Sequence, residues 1–227
     1  MTKPTDLHWV REPRQARSRE TLDRILDAAE TLVAEKGFED ATIAEIVRRG
    51  ESSVGAFYAR FRDKEGLLYA LYERYLEQAT ATADDALDPE RWHGTDLRAL
   101  LQAVVRFLVV IYRDRGGMIR AFVVRNHSDP EFRARQERLS HYVSEKLAAA
   151  LLAQRDEITH PEPDKAIAFG LSMVFSSIES HVLFGETRSS TLALGDDDLA
   201  AELTRAYLAY LGVPAPKNPE PNGGNPS

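Results

Sequence analysis

The sequence predicts an all-α protein, in which a three-helix head is followed by a larger helical body. Apolar residues recur at three- and four-residue spacing along most of the chain. No segment shows the sustained two-residue alternation and β-branched enrichment that are typical of a strand. Capping residues and glycines flank the periodic segments, as they do at helix ends. We therefore expect about nine helices in the 227 residues.

The first two helices belong to the predicted head, residues 18–62. Ser18 can cap the first helix, and Gly37 fits its C-terminal end. Thr42 opens the second helix, and Glu45 three residues later completes a capping box. Helices this short are not stable alone, so we expect them to pack together.

The third helix follows a break at residues 50–52. Ser53 can act as its N-cap, and Phe57 and Phe61 share one face, which predicts that this face is buried. Two short helices separated by a tight turn are typical of a helix-turn-helix. The other face carries small residues, which would let the helix backbone approach base edges closely in a DNA major groove.

The predicted body, residues 63–212, holds the other six helices. They begin at Asp63 and then span 97–112, 118–125, 130–153, 164–184 and 196–211. The helix at 164–184 is apolar on nearly all sides, which indicates burial on more than one face.

The two ends of the chain differ in composition from the helices. Residues 1–17 are interpreted as a flexible basic arm, which could enter a minor groove or be a solvated leader. Residues 213–227 are rich in Pro, Gly and Asn and are expected to be disordered. The N-terminus lacks the apolar core of a signal peptide, and no apolar stretch was expected to reach the roughly 20 residues of a membrane span. The absence of cysteine fits a reducing cytoplasm, so we expect a cytoplasmic protein without membrane contact.

Charge is distributed unevenly along the chain. The net charge is −7, of which residues 1–75 carry −1 and the remainder −6. Global charge reports solubility and non-specific attraction rather than the presence of a site. Within the head, a positive cluster falls around the third helix and comprises Arg48, Arg49, Arg60, Arg62 and Lys64.

The stretch SSVGAFYARFRDKEGLL, residues 52–68, resembles the tetracycline-repressor (TetR) family of bacterial transcriptional regulators. ILDAAETLVAEKGFEDATIAEIV is similar to the first two helices of that family. The resemblance covers residues 18–75 and implies a homodimer that binds double-stranded operator DNA. It also implies a body that binds a small-molecule effector, here expected to be mostly apolar, and a repressor that this effector releases from a palindromic operator.

The resemblance also implies site residues in the head. Thr42, Tyr58 and Lys64 would contact phosphates, whereas the residues facing the groove would be Ser53, Val54, Gly55, Ala56, Ala59 and Arg60. One departure concerns the turn, where the family usually has Ala-Gly and this chain has Gly50-Glu51. If Gly50 does not take the positive-φ position, Glu51 must, at a cost of roughly 1–2 kcal/mol.

Dimer and effector sites are expected in the body. The dimer is predicted through the helices 164–184 and 196–211, as a four-helix bundle. Its expected contact residues are Ala168, Leu171, Ser172, Phe175, Ile178, Leu199, Leu203, Ala206, Tyr207 and Tyr210. The effector pocket is predicted to be lined by Phe107, Ile111, Phe122, His127, His141 and Phe175.

Two other classes of protein are alternatives to a DNA-binding regulator. An enzyme is disfavoured because the six histidines form no paired metal spacing, and neither a nucleophile elbow nor a phosphate-binding glycine loop is present. Accordingly, we expect no catalytic residue, no metal and no cofactor. A helical ligand-binding protein that has lost DNA binding stays open, because Glu51 and the acidic balance disfavour contact with DNA.

Overall fold

The computed structural model describes residues 16–184 and 194–214. Within these ranges the chain forms nine α-helices and no strand, which confirms the predicted all-α fold. The helices are α1 (Ala16–Lys36), α2 (Ile43–Arg49), α3 (Val54–Tyr58), α4 (Lys64–Ala86), α5 (Leu97–Asp114), α6 (Gly116–Ser128), α7 (Pro130–Leu152), α8 (Pro163–Phe184) and α9 (Asp196–Leu211). Two short 3-10 helices, at Pro89–Trp92 and Arg155–Glu157, were not predicted.

The boundaries of several helices differ from the predicted ones. Ala16 and Arg17 already belong to α1, so the helix begins inside the predicted basic arm. The helices predicted at 97–112 and 118–125 are separated in the structure only by Arg115, and Gly116 and Gly117 belong to the first turn of α6. The rest of the predicted arm, residues 1–15, and most of the predicted tail, residues 215–227, lie outside the described residues.

Two apolar cores organise the fold, and α4 contributes to both. The head core contains the buried faces of α1 to α3, and it continues into the first half of α4 through Leu67 to Tyr72. Phe122 of α6 and Phe132 of α7 complete this core. The body core is built from α5, α7, α8 and α9, together with Ala83 at the other end of α4. Residue 62 therefore does not mark the end of the head core.

The head contacts the body where α6 begins. A Cβ atom added at Gly117 would lie 2.6 Å from the carbonyl oxygen of Val33, so only glycine allows this approach of α6 to α1. A second connection is made by Arg74 of α4, whose guanidinium forms ion pairs with Asp27 (2.7 Å) and Glu30 (2.8 Å) of α1. α4 and α6 therefore both link the head to the body.

The packing of α8 on α9 corrects the predicted dimer contacts. Leu171, Ile178, Leu199, Leu203 and Tyr207 are buried inside the single chain and are not available to a partner. Phe175, a sixth predicted contact, lines an internal cavity. The side chains that point outward are those of Ala168, Ser172, Ala206 and Tyr210.

Tyr207 fixes the distance between these two helices. Its ring covers Gly170, where an added Cβ atom would lie 1.8 Å from Cε2. Its hydroxyl donates a 2.6 Å hydrogen bond to the carbonyl oxygen of Ile167. The glycine therefore provides the space that the buried tyrosine occupies.

By length and composition alone, α8 would be long and apolar enough to cross a membrane. This differs from the sequence expectation that no such stretch exists. Helices in the core of a protein satisfy the same criterion, and α8 buries Ile167, Leu171, Val174 and Ile178 in the body core.

Candidate nucleic-acid interface and effector cavity

The second helix of the head begins with the predicted capping box. The Thr42 hydroxyl accepts a 3.3 Å hydrogen bond from the Glu45 amide and donates one of 2.6 Å to the Glu45 carboxylate. That carboxylate also accepts from the Thr42 amide (3.1 Å) and from Lys36 (2.7 Å). The hydrogen bond from Lys36, followed by those from Thr42, lowers the pKa of Glu45 to about 2. The start of α2 is thus tied to the end of α1.

In the turn between α2 and α3, Glu51 and not Gly50 takes the positive-φ position. Gly50 has φ −81°, whereas Glu51 has φ 46° and occupies the left-handed region. Glu51 donates its amide to the carbonyl of Arg48 (3.3 Å), and Ser52 donates to that of Val47 (2.8 Å). These two hydrogen bonds form a Schellman motif, whose left-handed position usually holds glycine. Glu51 therefore bears the predicted backbone strain.

Gly50 has a different role, which the sequence did not reveal. A Cβ atom at this position would lie 2.9 Å from the carbonyl oxygen of Arg24. Arg24 in turn donates its Nε to the Gly50 carbonyl at 3.3 Å. Glycine is required here because α1 passes directly against the turn.

The third helix presents the outer face that the sequence predicted. The Ser53 hydroxyl caps it by accepting from the Ala56 amide at 3.0 Å. Phe57 and Phe61 are fully buried, with ring centroids 5.0 Å apart. Val54 is 49% exposed and Tyr58 53% exposed. Ser53, Gly55 and Ala59 are exposed beside them, and Ala56 is half-buried.

Two basic side chains near this face already donate hydrogen bonds to backbone carbonyls, which the sequence did not indicate. Arg60 was expected to face the groove, but it is half-buried and donates to the carbonyl of Ala56 at 2.8 Å, so it turns back onto its own helix. Lys64 donates to the Glu39 carbonyl at 2.8 Å and lies 4.5 Å from the centroid of the Phe38 ring.

The arginines around the same face are divided between paired and free groups. Arg49 pairs with Glu35 at 2.7 Å, and Arg62 lies 3.5 Å from Asp63. Exposed pairs of this kind contribute little to stability and can exchange for other partners. Within the described part of the chain, Arg48 is exposed and has no such contact.

The body contains a partly open cavity of about 740 Å³ between α4, α5, α7 and α8. Its walls are mostly apolar, and its size falls within the range of small-molecule sites. Phe107, Ile111 and Phe175, three of the predicted pocket residues, line it.

The other three predicted pocket residues lie elsewhere. Phe122 is only 3% exposed and belongs to the head core, because α6 packs on α1 and turns this side chain away from the cavity. His127 is on the outer surface near the end of α6. His141 is exposed on α7, with its Nε2 3.2 Å from a carboxylate oxygen of Glu145.

The polar residues of the cavity were missed by sequence reasoning. Tyr75, Tyr112, Arg115 and Glu179 line it, together with several apolar side chains. Helical spacing offered a signal, since Arg115 lies one turn after Ile111, and Glu179 lies one turn after Phe175. Among the described residues, no cluster of His, Cys, Asp or Glu has the arrangement of a metal site.

Comparison with known proteins connects the head to one family. Residues 25–71 match the sequence pattern of "Bacterial regulatory proteins, tetR family". The A-factor receptor protein of Streptomyces griseus is 35% identical over 71 residues, which is 31% of this chain and 24% of that protein. The match thus spans about a quarter of the length of that relative.

The whole fold is also found among solved structures. A Mesorhizobium loti protein named as a TetR-family transcriptional regulator aligns with a TM-score of 0.68 at 18% identity, covering 88% of this chain and 98% of that one. FadR of Bacillus subtilis, in complex with stearoyl-CoA, aligns with a TM-score of 0.55 at 19% identity, covering 84% and 97%.

Residues 25–71 thus match the tetR family by sequence, and the described residues share the all-α fold of solved structures named as TetR-family regulators. The matched family is one of transcriptional regulators and not of enzymes, in agreement with the sequence expectation of a non-enzymatic role.

Proposed function

We propose that the chain is a homodimeric repressor that binds a palindromic operator through α3 and leaves it when a small, mostly apolar effector enters the body. The observation that carries this proposal is the outer face of α3. Exposed small residues surround Val54 and Tyr58 there, while Phe57 and Phe61 anchor the opposite face in the core. Such a helix can approach base edges in a major groove.

Individual roles follow from position and exposure. Val54 and Ala56 are suited to apolar contact with thymine methyl groups, and the Tyr58 hydroxyl to a phosphate. Thr42 is exposed, and a phosphate contact would require its hydroxyl to exchange its capping-box partner, Glu45, for the phosphate. Lys64 would exchange its backbone partner for a phosphate.

The dimer would form through the outward faces of α8 and α9. Phe169 is 58% exposed and Tyr210 39% exposed, and their rings contact each other at 5.3 Å. Small residues, Ala168, Ser172 and Ala206, accompany them on these two helices. An exposed apolar patch of this kind favours a protein interface, and a symmetric dimer would bring two heads to the two halves of a palindrome.

The cavity supports the effector part of the proposal. Its volume and mostly apolar lining suit a small molecule, and FadR, a structural neighbour, is known in complex with stearoyl-CoA. A cytoplasmic location follows from the proposed role. A second candidate is a ligand-binding protein with weakened DNA binding, which is favoured by the carboxylate of Glu51 beside α3 and by the engaged cations.

A gel-shift assay with the promoter region next to the protein's own gene separates the two candidates. The repressor proposal expects a specific shift that Tyr58→Ala and Lys64→Ala weaken for all sequences. Lys64→Ala should also lower the slope of log affinity against log salt by about one. His141→Ala, at an exposed site remote from α3, is the matched control. Folded variants that bind as tightly as the parent would contradict the site assignment.

A further inference from the structure

Glu179 of α8 is a carboxylate that faces the cavity. It is half-buried and lies one helical turn after Phe175. Within the described part of the chain, it forms neither a hydrogen bond nor an ion pair with another residue. Glu73 of α4, also half-buried, differs because it is paired with the guanidinium of Arg135.

Two tyrosines, Tyr75 and Tyr112, line the same cavity as Glu179. Burial raises the pKa of both tyrosines, and the negative charge of Glu179 adds to this effect, although Arg115 opposes it at Tyr75. Phe107 and Phe175 line the same cavity. Aromatic faces attract cations, and a carboxylate among them strengthens that attraction.

Among the described residues, no cation forms an ion pair with this carboxylate. Arg115 lines the cavity but lies over the Tyr75 ring, 5.6 Å from its centroid, and forms no ion pair with Glu179. Burial alone raises the pKa of Glu179, with no opposing contribution from Arg115. A carboxylate withdrawn from water without a partner is costly. A cation that enters beside Glu179 would recover electrostatic energy, whereas an anion at that position would be repelled.

We propose that Glu179 anchors the effector, and that the effector is an apolar molecule carrying a cationic nitrogen. This inference rests on the proposed effector role of the cavity. The remaining walls, which include Trp92, Leu108, Leu139 and Leu147, are apolar and would hold the rest of the molecule. Lipophilic amines and quaternary ammonium compounds are the class that fits.

The test uses three probes with the same ten-carbon chain: decyltrimethylammonium, decan-1-ol and decanoate, each below its micelle concentration. Binding is followed by the fluorescence of Trp92, which lines the cavity, in a full-length chain carrying Trp9→Phe. We expect decyltrimethylammonium to bind about tenfold more tightly than decan-1-ol, and decanoate to bind most weakly.

Glu179→Gln keeps the size of the side chain and removes its charge. It should weaken decyltrimethylammonium about tenfold and leave decan-1-ol unchanged. Glu137→Gln, which removes an exposed carboxylate on α7, is the matched control and should change neither. Equal affinity of the parent for all three probes, tightest binding of decanoate, or a cation affinity that Glu179→Gln does not alter would overturn the proposal.

A pH series gives a second readout. The quaternary ammonium does not titrate, so its affinity should fall on acidification as Glu179 becomes protonated, at a pH raised by burial. Tyr75 and Tyr112 stay neutral because their pKa values are raised, and Arg115 stays cationic. The lining residues of α7 include no titratable side chain.

Asp85 and Arg91, the other charged lining residues, form an exposed pair at 2.9 Å. A pH dependence that persists in Glu179→Gln would therefore assign the effect to another group and overturn the proposal.

Gel shifts run in parallel distinguish failure of the proposed function from failure of the proposed ligand class. If the cation preference holds but no DNA is bound, the proposed function fails and the ligand class stands. If decan-1-ol releases DNA from the parent as effectively as decyltrimethylammonium does, the ligand class fails alone.

Discussion

Replacing Glu51 by glycine should stabilise the head. Glu51 has φ 46° at the left-handed position of the Schellman motif that ends α2. A residue with a Cβ atom costs roughly 1–2 kcal/mol in this conformation. Glycine avoids that cost but loses more freedom on folding, by about 0.5–1 kcal/mol. We therefore expect Glu51→Gly to raise the free energy of unfolding by about 0.5–1 kcal/mol, which corresponds to about 1–4 °C in Tm.

Two further variants distinguish the effect of backbone strain at Glu51 from the effect of its carboxylate charge. Glu51→Ala removes the carboxylate but keeps the Cβ atom, so its stability should stay close to that of the parent. Gly50→Ala should destabilise the protein, because the new Cβ atom would meet the Arg24 carbonyl at 2.9 Å. Urea unfolding of the four proteins measures the differences. The reasoning is refuted if Glu51→Gly is no more stable than Glu51→Ala.

The same variants test the electrostatic effect of Glu51 on DNA binding. If its carboxylate repels phosphates, Glu51→Ala and Glu51→Gly should both bind DNA more tightly, by a factor that shrinks as salt is added. A gain for Glu51→Gly alone would assign the effect to turn geometry instead.

Three other predictions concern stability and assembly. The pKa of Glu45 is lowered to about 2 from 4.5, so the stability that its carboxylate contributes is present above pH 4.5 and is lost as the pH falls towards 2. In acid unfolding experiments, Glu45→Gln should therefore show a weaker dependence of stability on pH over this range. Gly170→Ala should lower Tm by more than 5 °C, because its Cβ atom would overlap the Tyr207 ring; an unchanged Tm would contradict the packing of α8 on α9. Phe169→Glu should convert the proposed dimer to a monomer in sedimentation, whereas Val124→Glu, at another exposed apolar site, should not; equal behaviour of the two would exclude the α8–α9 face.

Local signals account for most of the fold that the sequence predicted. Thr42 with Glu45, Ser53 and Asp63 each cap a helix in the structure as their spacing indicated. Caps and helical periodicity depend on residues within one or two turns of each other, so they can be recognised without knowing the tertiary arrangement.

The errors concern contacts between residues distant in the sequence. Phe122 and Phe175 are both aromatic residues on body helices, yet Phe122 is in the head core and Phe175 lines the cavity, because Gly117 brings α6 against α1. The apolar character of α8 likewise did not reveal which side faces α9. Arg60 is a different case, because its hydrogen-bond acceptor, the Ala56 carbonyl, lies only four residues away and depends on side-chain geometry that composition does not express.

The central claim is that the outer face of α3 reads a symmetric DNA sequence. The most direct measurement is enrichment of random-sequence duplexes by the parent and by Val54→Thr, which replaces one methyl group by a hydroxyl at a side chain 49% exposed. The account predicts that the parent enriches a palindrome, and that Val54→Thr enriches one altered at symmetry-related positions in both halves. Failure of the folded parent to enrich any sequence, or an identical palindrome for both proteins, would contradict it.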